Sequence, residues 1–247
     1  MTTIQSHLPL EGLQNARHLG GYPADGGVTK SAAYIRCENP GRLTAADRDT
    51  LYHFGVRLVI DLRSPEEIAA ETDLLSEDSR FHYLSLPVFS TDASPAALAA
   101  DTFDMGELYV HMLRDRAEVF KKILRVILNT EGVVLFHCTA GKDRTGVLAA
   151  LLLLAAGVDR DTVIAEYAYT GELLRPLLAK LRAGMPEGAG RDRAEAMLAA
   201  NPAYIETLIA YIEARGGAKN YLRSLGLSDT EIDLLNRRLV NKGGRKQ

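Results

Sequence analysis

Four short apolar, β-branched runs, Tyr34 to Cys37, Val56 to Leu62, Tyr83 to Val88 and Val133 to Phe136, predict strands. The second and fourth are almost unbroken, as parallel strands buried on both faces require. Between the strands the apolar period becomes helical. Thr44 followed by Asp47 is a capping signal, and Gly55 closes that helix at its other end. A longer amphipathic stretch carries Leu108, Met112, Phe120, Ile123, Leu124, Ile127 and Leu128, with Gly132 beyond its end. After the fourth strand the pattern is helical throughout, in the segments Val163 to Leu181, Ala194 to Leu198, Tyr204 to Ala214 and Asp229 to Val240. Strand alternating with helix predicts an α/β fold: a largely parallel central sheet flanked by helices, with a C-terminal helical extension.

Ser90 to Gly106, rich in Ala, Asp and Ser with little periodic apolar content, predicts a mobile surface loop. Gly184 to Arg191 is a connection between helices, and the polar tail Asn241 to Gln247 predicts fraying. The chain is expected to form one domain over 1–247, with a core of about 12–183 and a helical extension of about 191–240.

Composition narrows the function classes. The 247 residues are 47% hydrophobic and 25% charged, which excludes disordered and fibrous chains. A net charge of −3 supplies no global positive field, so nucleic acid is not an expected partner and any anion preference must be local. The apolar run Val147 to Gly157 falls short of the roughly 20 residues of a membrane span, so no integral membrane segment is expected. The N-terminus shows no signal-peptide pattern; a cytoplasmic location is expected, with secretion lacking such a signal left open. Cys37 and Cys138 are too few for a disulfide scaffold or structural zinc, and the six histidines lack ligand spacing, so no metal or cofactor is expected. The sequence does not set the oligomeric state.

One stretch carries chemistry: Val133-Val-Leu-Phe-His-Cys-Thr-Ala-Gly-Lys-Asp-Arg-Thr-Gly146, followed at once by an apolar helix. It reads strand, loop, helix. Cys138 and Arg144 bracket a loop whose N–H groups can point inward above a helix N-terminus, a cradle for a phosphate-sized dianion. The same donors stabilise a thiolate, and an arginine fork matches two phosphoryl oxygens. A nucleotide-binding Walker loop needs glycine at Phe136 and Ser or Thr at Asp143, so that reading drops out.

His137 before the cysteine, Gly141 at the tight turn and Thr145-Gly146 at the helix start resemble the signature of the cysteine-dependent phosphatases. The whole motif HCTAGKDRTG is similar to the bacterial tyrosine-phosphatase branch that includes enzymes acting on phosphoinositides. Asn15-Ala-Arg-His-Leu-Gly-Gly-Tyr22, Tyr34-Ile-Arg36, Val59-Ile-Asp-Leu-Arg-Ser64 and Tyr221-Leu-Arg-Ser-Leu-Gly-Leu-Ser228 extend the resemblance over nearly the whole chain, with Ala16 and His18 departing from the family's Phe and Asp. The resemblance implies a protein-tyrosine-phosphatase-like fold and hydrolysis of phosphomonoesters without a metal. Cys138 attacks phosphorus, a cysteinyl-phosphate forms and water hydrolyses it. The implied substrates are phosphotyrosine proteins, with phosphoserine, phosphothreonine or phosphoinositides as further classes.

Roles follow residue by residue. Thr139, Ala140, Gly141, Lys142 and Thr145 are expected around the substrate, and His137 orders the loop. Thr145 either donates to the cysteine sulfur or caps the helix. The general acid is open between Asp143, inside the loop and matching an Asp-Arg-Thr of the lipid phosphatases called myotubularins, and Asp92, soon after Leu86-Pro87, where Asp101 and Asp104 also lie. The alternative role for Asp143 is a brace on Arg144 or a neighbouring cation. Lys142 is either a second cation beside phosphate or a solvated lysine. Arg17, Arg36 and Arg63 are expected in structural ion pairs, and Cys37 is a core residue unless the fold lets it pair with Cys138. Two competing functions remain: a catalytically idle module that holds phosphorylated ligands, and a sulfur- or arsenate-handling thiol enzyme.

Overall fold

The computed structural model describes residues 6–88, 104–183 and 191–242. Its strands are β1 (Arg17–His18), β2 (Pro23–Ala24), β3 (Gly27–Thr29), β4 (Tyr34–Cys37), β5 (Val56–Asp61), β6 (His82–Ser85), β7 (Val133–His137) and β8 (Val240–Lys242). Its α-helices are α1 (Ala45–Phe54), α2 (Pro65–Ala70), α3 (Met105–Asp115), α4 (Ala117–Leu128), α5 (Asp143–Ala155), α6 (Arg160–Leu173), α7 (Arg175–Ala183), α8 (Arg191–Leu198), α9 (Pro202–Glu213), α10 (Ala218–Ser224) and α11 (Asp229–Leu239).

The central sheet has the order β1-β4-β7-β5-β6, with β4, β7, β5 and β6 parallel and β1 antiparallel at one edge. This is the mixed α/β architecture that the sequence pattern predicts. Cys37 and Asp61 both pair with His137, so three strands end level at one edge, with β7 in the middle. Such a carboxyl edge is where open α/β sheets bind ligands.

Alternation along the strands builds two cores. Tyr34, Leu58, Ile60, Val134, Phe136 and Cys138 face the thicker helical layer, where α3 to α6 and α9 to α11 share one continuous apolar cluster. Ile35, Cys37, Val56, Val59, Val133 and Leu135 face the thinner layer, packed by Leu51 of α1 and by Leu10, Leu13, Leu43 and Leu75. The helices of the extension thus complete the core of the sheet. The Thr44 and Asp47 capping box is present, and Gly55 ends α1 at φ 102°, where a Cβ is disfavoured.

Several boundaries differ from the pattern. The long amphipathic stretch is two helices broken at Arg116 (φ −112°, ψ 26°), because the apolar period resumes beyond the break and spacing alone does not register it. The helical run to Leu181 is likewise divided, at Leu174. α5 starts at Asp143, inside the motif. Val240–Lys242 are not helix end and frayed tail but form β8, antiparallel to β3 in a second sheet of order β2-β3-β8; residues 243–247 of the expected tail, and 184–190 of the expected connection, lie outside the described residues. Backbone pairing makes that strand, and backbone pairing leaves no apolar signature. Of the expected loop Ser90 to Gly106, residues 90–103 lie outside the described residues, and Asp104 caps α3.

Candidate active site

The loop from Cys138 to Lys142 joins the end of β7 to the start of α5, whose second residue is Arg144. Gly141 turns it at φ 64°, and a Cβ there would stand 2.3 Å from the carbonyl oxygen of Cys37. The carbonyls of the loop are tied backwards. Thr139 O accepts from the Asn39 amide (3.0 Å), Ala140 O from Asn15 Nδ2 (3.0 Å), Gly141 O from Arg36 Nη2 (2.7 Å), and Lys142 O from the same nitrogen (3.3 Å). In a trans peptide the N–H points opposite to its carbonyl, so the amides of Ala140, Gly141, Lys142 and Asp143 turn the other way. That arrangement, above the start of α5, has the geometry to cradle an anion.

A buried ion cluster holds the ties. Glu166 accepts from Arg17 Nε (2.7 Å) and Arg36 Nη1 (2.6 Å), and Arg17 also bonds Thr170 Oγ1 (2.8 Å) and the Asn15 side chain. All are buried. Burial alone would push Glu166 up, but the two guanidinium groups outweigh it and hold its pKa below the ordinary carboxylate value. Burial and the neighbouring Arg36 lower Arg17 to about 10, still protonated at neutral pH. Arg17 and Arg36 are therefore structurally paired, and Arg36 also shapes the loop.

Cys138 is 1% exposed at the base of the cradle. Thr145 is the third residue of α5, fully buried, with no hydrogen-bond partner for Oγ1 among the described residues. It does not cap the helix; Lys142 occupies that position. His137 Nδ1 donates to the Cys138 carbonyl (3.3 Å), while Nε2 lies 2.9 Å from Asp73 Oδ2 and 3.8 Å from Asp61 Oδ2. This buried trio has the donor set of a metal site. Arg63 donates to both oxygens of Asp61 from its side chain, while Asp73 Oδ2 and His137 Nε2 have no hydrogen-bond partner among the described residues. Burial acts to raise Asp61, but the bonds from Arg63 prevail and lower it. Cys37 packs in the core cluster on the opposite face of the sheet from that of Cys138, and both are buried free thiols.

At the rim, Arg144 Nη1 and Nη2 donate to Glu67 Oε2 (2.5 Å) and Oε1 (2.7 Å), and Thr139 Oγ1 donates to Glu67 Oε1 (2.5 Å). Oε2 also accepts from the Ser64 amide (2.9 Å), so one carboxylate closes the capping box of α2 and aims the arginine. Burial would raise Glu67, yet the arginine overrides it and holds the carboxyl at about 2. The brace on Arg144 is thus Glu67, not Asp143. Asp143 Oδ1 instead accepts from Tyr109 Oη (2.5 Å) and lies 3.4 Å from Lys142 Nζ. The ammonium of Lys142 is buried against the carbonyls of Met197 (2.5 Å) and Ala199 (2.9 Å), where α8 ends. Asp92 and Asp101 lie outside the described residues. Asp104 is committed to the amides of Gly106 and Glu107.

The pattern of the tyrosine phosphatase family matches residues 8–241. The chain belongs to this family. It is 37% identical over 226 residues to a tyrosine-protein phosphatase of Nostoc commune, covering 85% of this chain and 75% of that protein. It is 26% identical over 248 residues to the triple specificity protein phosphatase PtpB of Mycobacterium tuberculosis, covering 81% of this chain and 87% of that one. The protein is accordingly a tyrosine-phosphatase-family hydrolase of phosphoric monoesters. Among the described residues no helix is long and apolar enough to cross a membrane. Glu67, Glu166, Asp73 and Tyr109 are the site residues that sequence reasoning missed. Glu67 had a signal, since Ser64-Pro-Glu-Glu67 is a capping box beside the Asp-Leu-Arg-Ser segment.

Proposed function

We propose that this phosphatase hydrolyses phosphotyrosine in proteins through a cysteinyl-phosphate, with phosphoserine, phosphothreonine and phosphoinositides as the wider substrate set. The observation that carries this reading is the cradle: four loop carbonyls tied backwards around a cysteine, with an arginine fork at the mouth. Cys138 supplies the nucleophile. Its sulfur lone pair forms the S–P bond as the ester P–O bond breaks, and the departing oxygen takes the proton of Asp143. Water then attacks phosphorus, gives its proton to Asp143, and the S–P bond breaks to release phosphate and thiolate. Arg144 and the amides neutralise the equatorial oxygens in both steps.

Asp143 is favoured as the acid because it stands at the first position of α5, partly exposed, and is not committed to Arg144; its ion pair is with the neighbouring Lys142, which keeps the bracing role as the alternative. The buried, unpartnered hydroxyl of Thr145 supports a role toward the sulfur. The whole chain reads as one phosphatase domain, and its two free thiols suit a reducing cytoplasm. The test is hydrolysis of an aryl phosphate in chelator by the protein and by Cys138→Ser, with vanadate-competed phosphate binding measured in parallel. The expected result is turnover that Cys138→Ser abolishes while binding survives; residual steady-state turnover in the variant overturns the mechanism. A panel of phosphopeptides and phosphoinositides ranks the substrates.

A further inference from the structure

Tyr109 lies on α3, a helix with no residue in the motif, and it is fully buried. Its hydroxyl is 2.5 Å from Asp143 Oδ1 and 2.6 Å from the hydroxyl of Tyr167 on α6. The two rings pack edge to face at 5.9 Å, and Tyr204 of α9 also packs edge to face with Tyr109, at 6.4 Å. Three helices thus hold one phenol against one carboxyl group. Buried hydroxyls must be paired, and an alternating chain satisfies both phenols: Tyr167 donates to Tyr109, and Tyr109 donates to Asp143.

We infer that Tyr109, backed by Tyr167, is a positioning residue for the general acid, fixing Asp143 by donation to Oδ1 and leaving Oδ2 to carry the proton delivered to the leaving group. This rests on the reading of Asp143 as the acid. A carboxylic acid has one acceptor oxygen and one hydroxyl; a fixed donor at Oδ1 selects which is which and turns the acidic proton away from the helices. The same donor strengthens when Asp143 becomes a carboxylate as the ester bond breaks. Burial, and then the charge of Asp143, pushes the Tyr109 phenol well up, so it remains a donor through the working pH range. The other charged or titratable groups facing Asp143 are Lys142 at 3.4 Å, Arg144, Tyr167 and Tyr204.

The test compares Tyr109→Phe, Tyr167→Phe, Asp143→Asn and the double variant Tyr109→Phe/Asp143→Asn on a series of phosphate esters. For alkyl phosphates Asp143→Asn should lose about 10²- to 10⁴-fold in kcat/KM, and Tyr109→Phe roughly tenfold or more. Activated nitrophenyl esters should be little changed. In Tyr109→Phe the basic limb of the pH–rate profile should move to higher pH, because a carboxylate that loses a donor takes up a proton more readily. Tyr167→Phe, which keeps the bond to Asp143, should shift both readouts the same way but less, and it serves if Tyr109→Phe does not fold. In the Asp143→Asn background Tyr109→Phe should add no further leaving-group dependence. An equal loss for every leaving group with an unmoved limb, no loss at all, or an effect that persists without Asp143 overturns the inference about Tyr109. A leaving-group-independent result for Asp143→Asn itself overturns the acid assignment first, and the inference with it.

Discussion

Two glutamate–arginine clamps hold the phosphate loop, one behind it and one at its mouth. Behind, Glu166 lies between Arg17 and Arg36, and all three side chains are sealed from solvent. At the mouth, Glu67 grips Arg144 with the carboxylate side chain 34% exposed and the guanidinium 12% exposed. The chemistry of the two pairs is the same and the setting is not. A sealed pair fixes shape, because removing either partner strands a charge in the core. On the proposed function, a pair at the mouth can share its arginine with an arriving dianion, because it is open to solvent. The rear clamp therefore sets the direction of the loop amides, and the front clamp sets the direction of the guanidinium.

The sharpest way to break this comparison is Glu166→Gln. It leaves Arg17 and Arg36 buried without a carboxylate, and about 3–5 kcal/mol of stability should be lost. For a chain of this size that corresponds to a fall in Tm on the order of 10 °C. Turnover should fall for all esters alike, since the amides lose their alignment. Calorimetry with a leaving-group series checks both; a stable, fully active variant would mean that the loop keeps its shape without the rear clamp.

Glu67→Gln should do the reverse, costing kcat/KM about tenfold while changing stability by no more than about 1 kcal/mol. The pH dependence has a defined sign. With its folded pKa at about 2 against an ordinary 4.5, Glu67 contributes stability that is fully present above about pH 4.5 and is lost as pH falls toward 2. The stability gap between the protein and Glu67→Gln should thus be flat at neutral and mildly acidic pH and close in strong acid. Urea unfolding over a pH series measures it, and a gap that widens on acidification contradicts the assignment.

The same contrast explains what was legible in the sequence. The loop, its cysteine and arginine and the four parallel strands were legible because each is written in contiguous residues: an apolar run, a turn glycine, a helix start. The clamps were not. Glu166 lies 130 positions from Arg36 and Glu67 lies 77 from Arg144, and a carboxylate on a helix ordinarily reads as solvated surface. Tyr109 was hidden differently, since a tyrosine within an apolar stripe reads as core and only the packing of α3 against α5 and α6 brings it to Asp143. The strand β8 escaped because its partner, β3, is more than two hundred residues earlier.

The smallest expected effect concerns Lys142, whose ammonium the rim spends on α8. The last carbonyls of a helix lack intrahelical partners and carry the negative end of its dipole, so a lysine donating to Met197 O and Ala199 O satisfies both. Lys142→Met keeps most of the stem's volume and removes the charge. Amide exchange across Arg191–Leu198 should then accelerate roughly tenfold or more, with α5 and the central sheet unchanged. Rates on an aryl phosphate and on a phosphoinositide should change by the same factor, because in this arrangement the ammonium serves the helix and not the ligand. A loss confined to the phosphoinositide would instead show that Lys142 leaves α8 for a second phosphate. The front of the loop would then contain two exchangeable cations, and its contrast with the sealed clamp behind would become sharper.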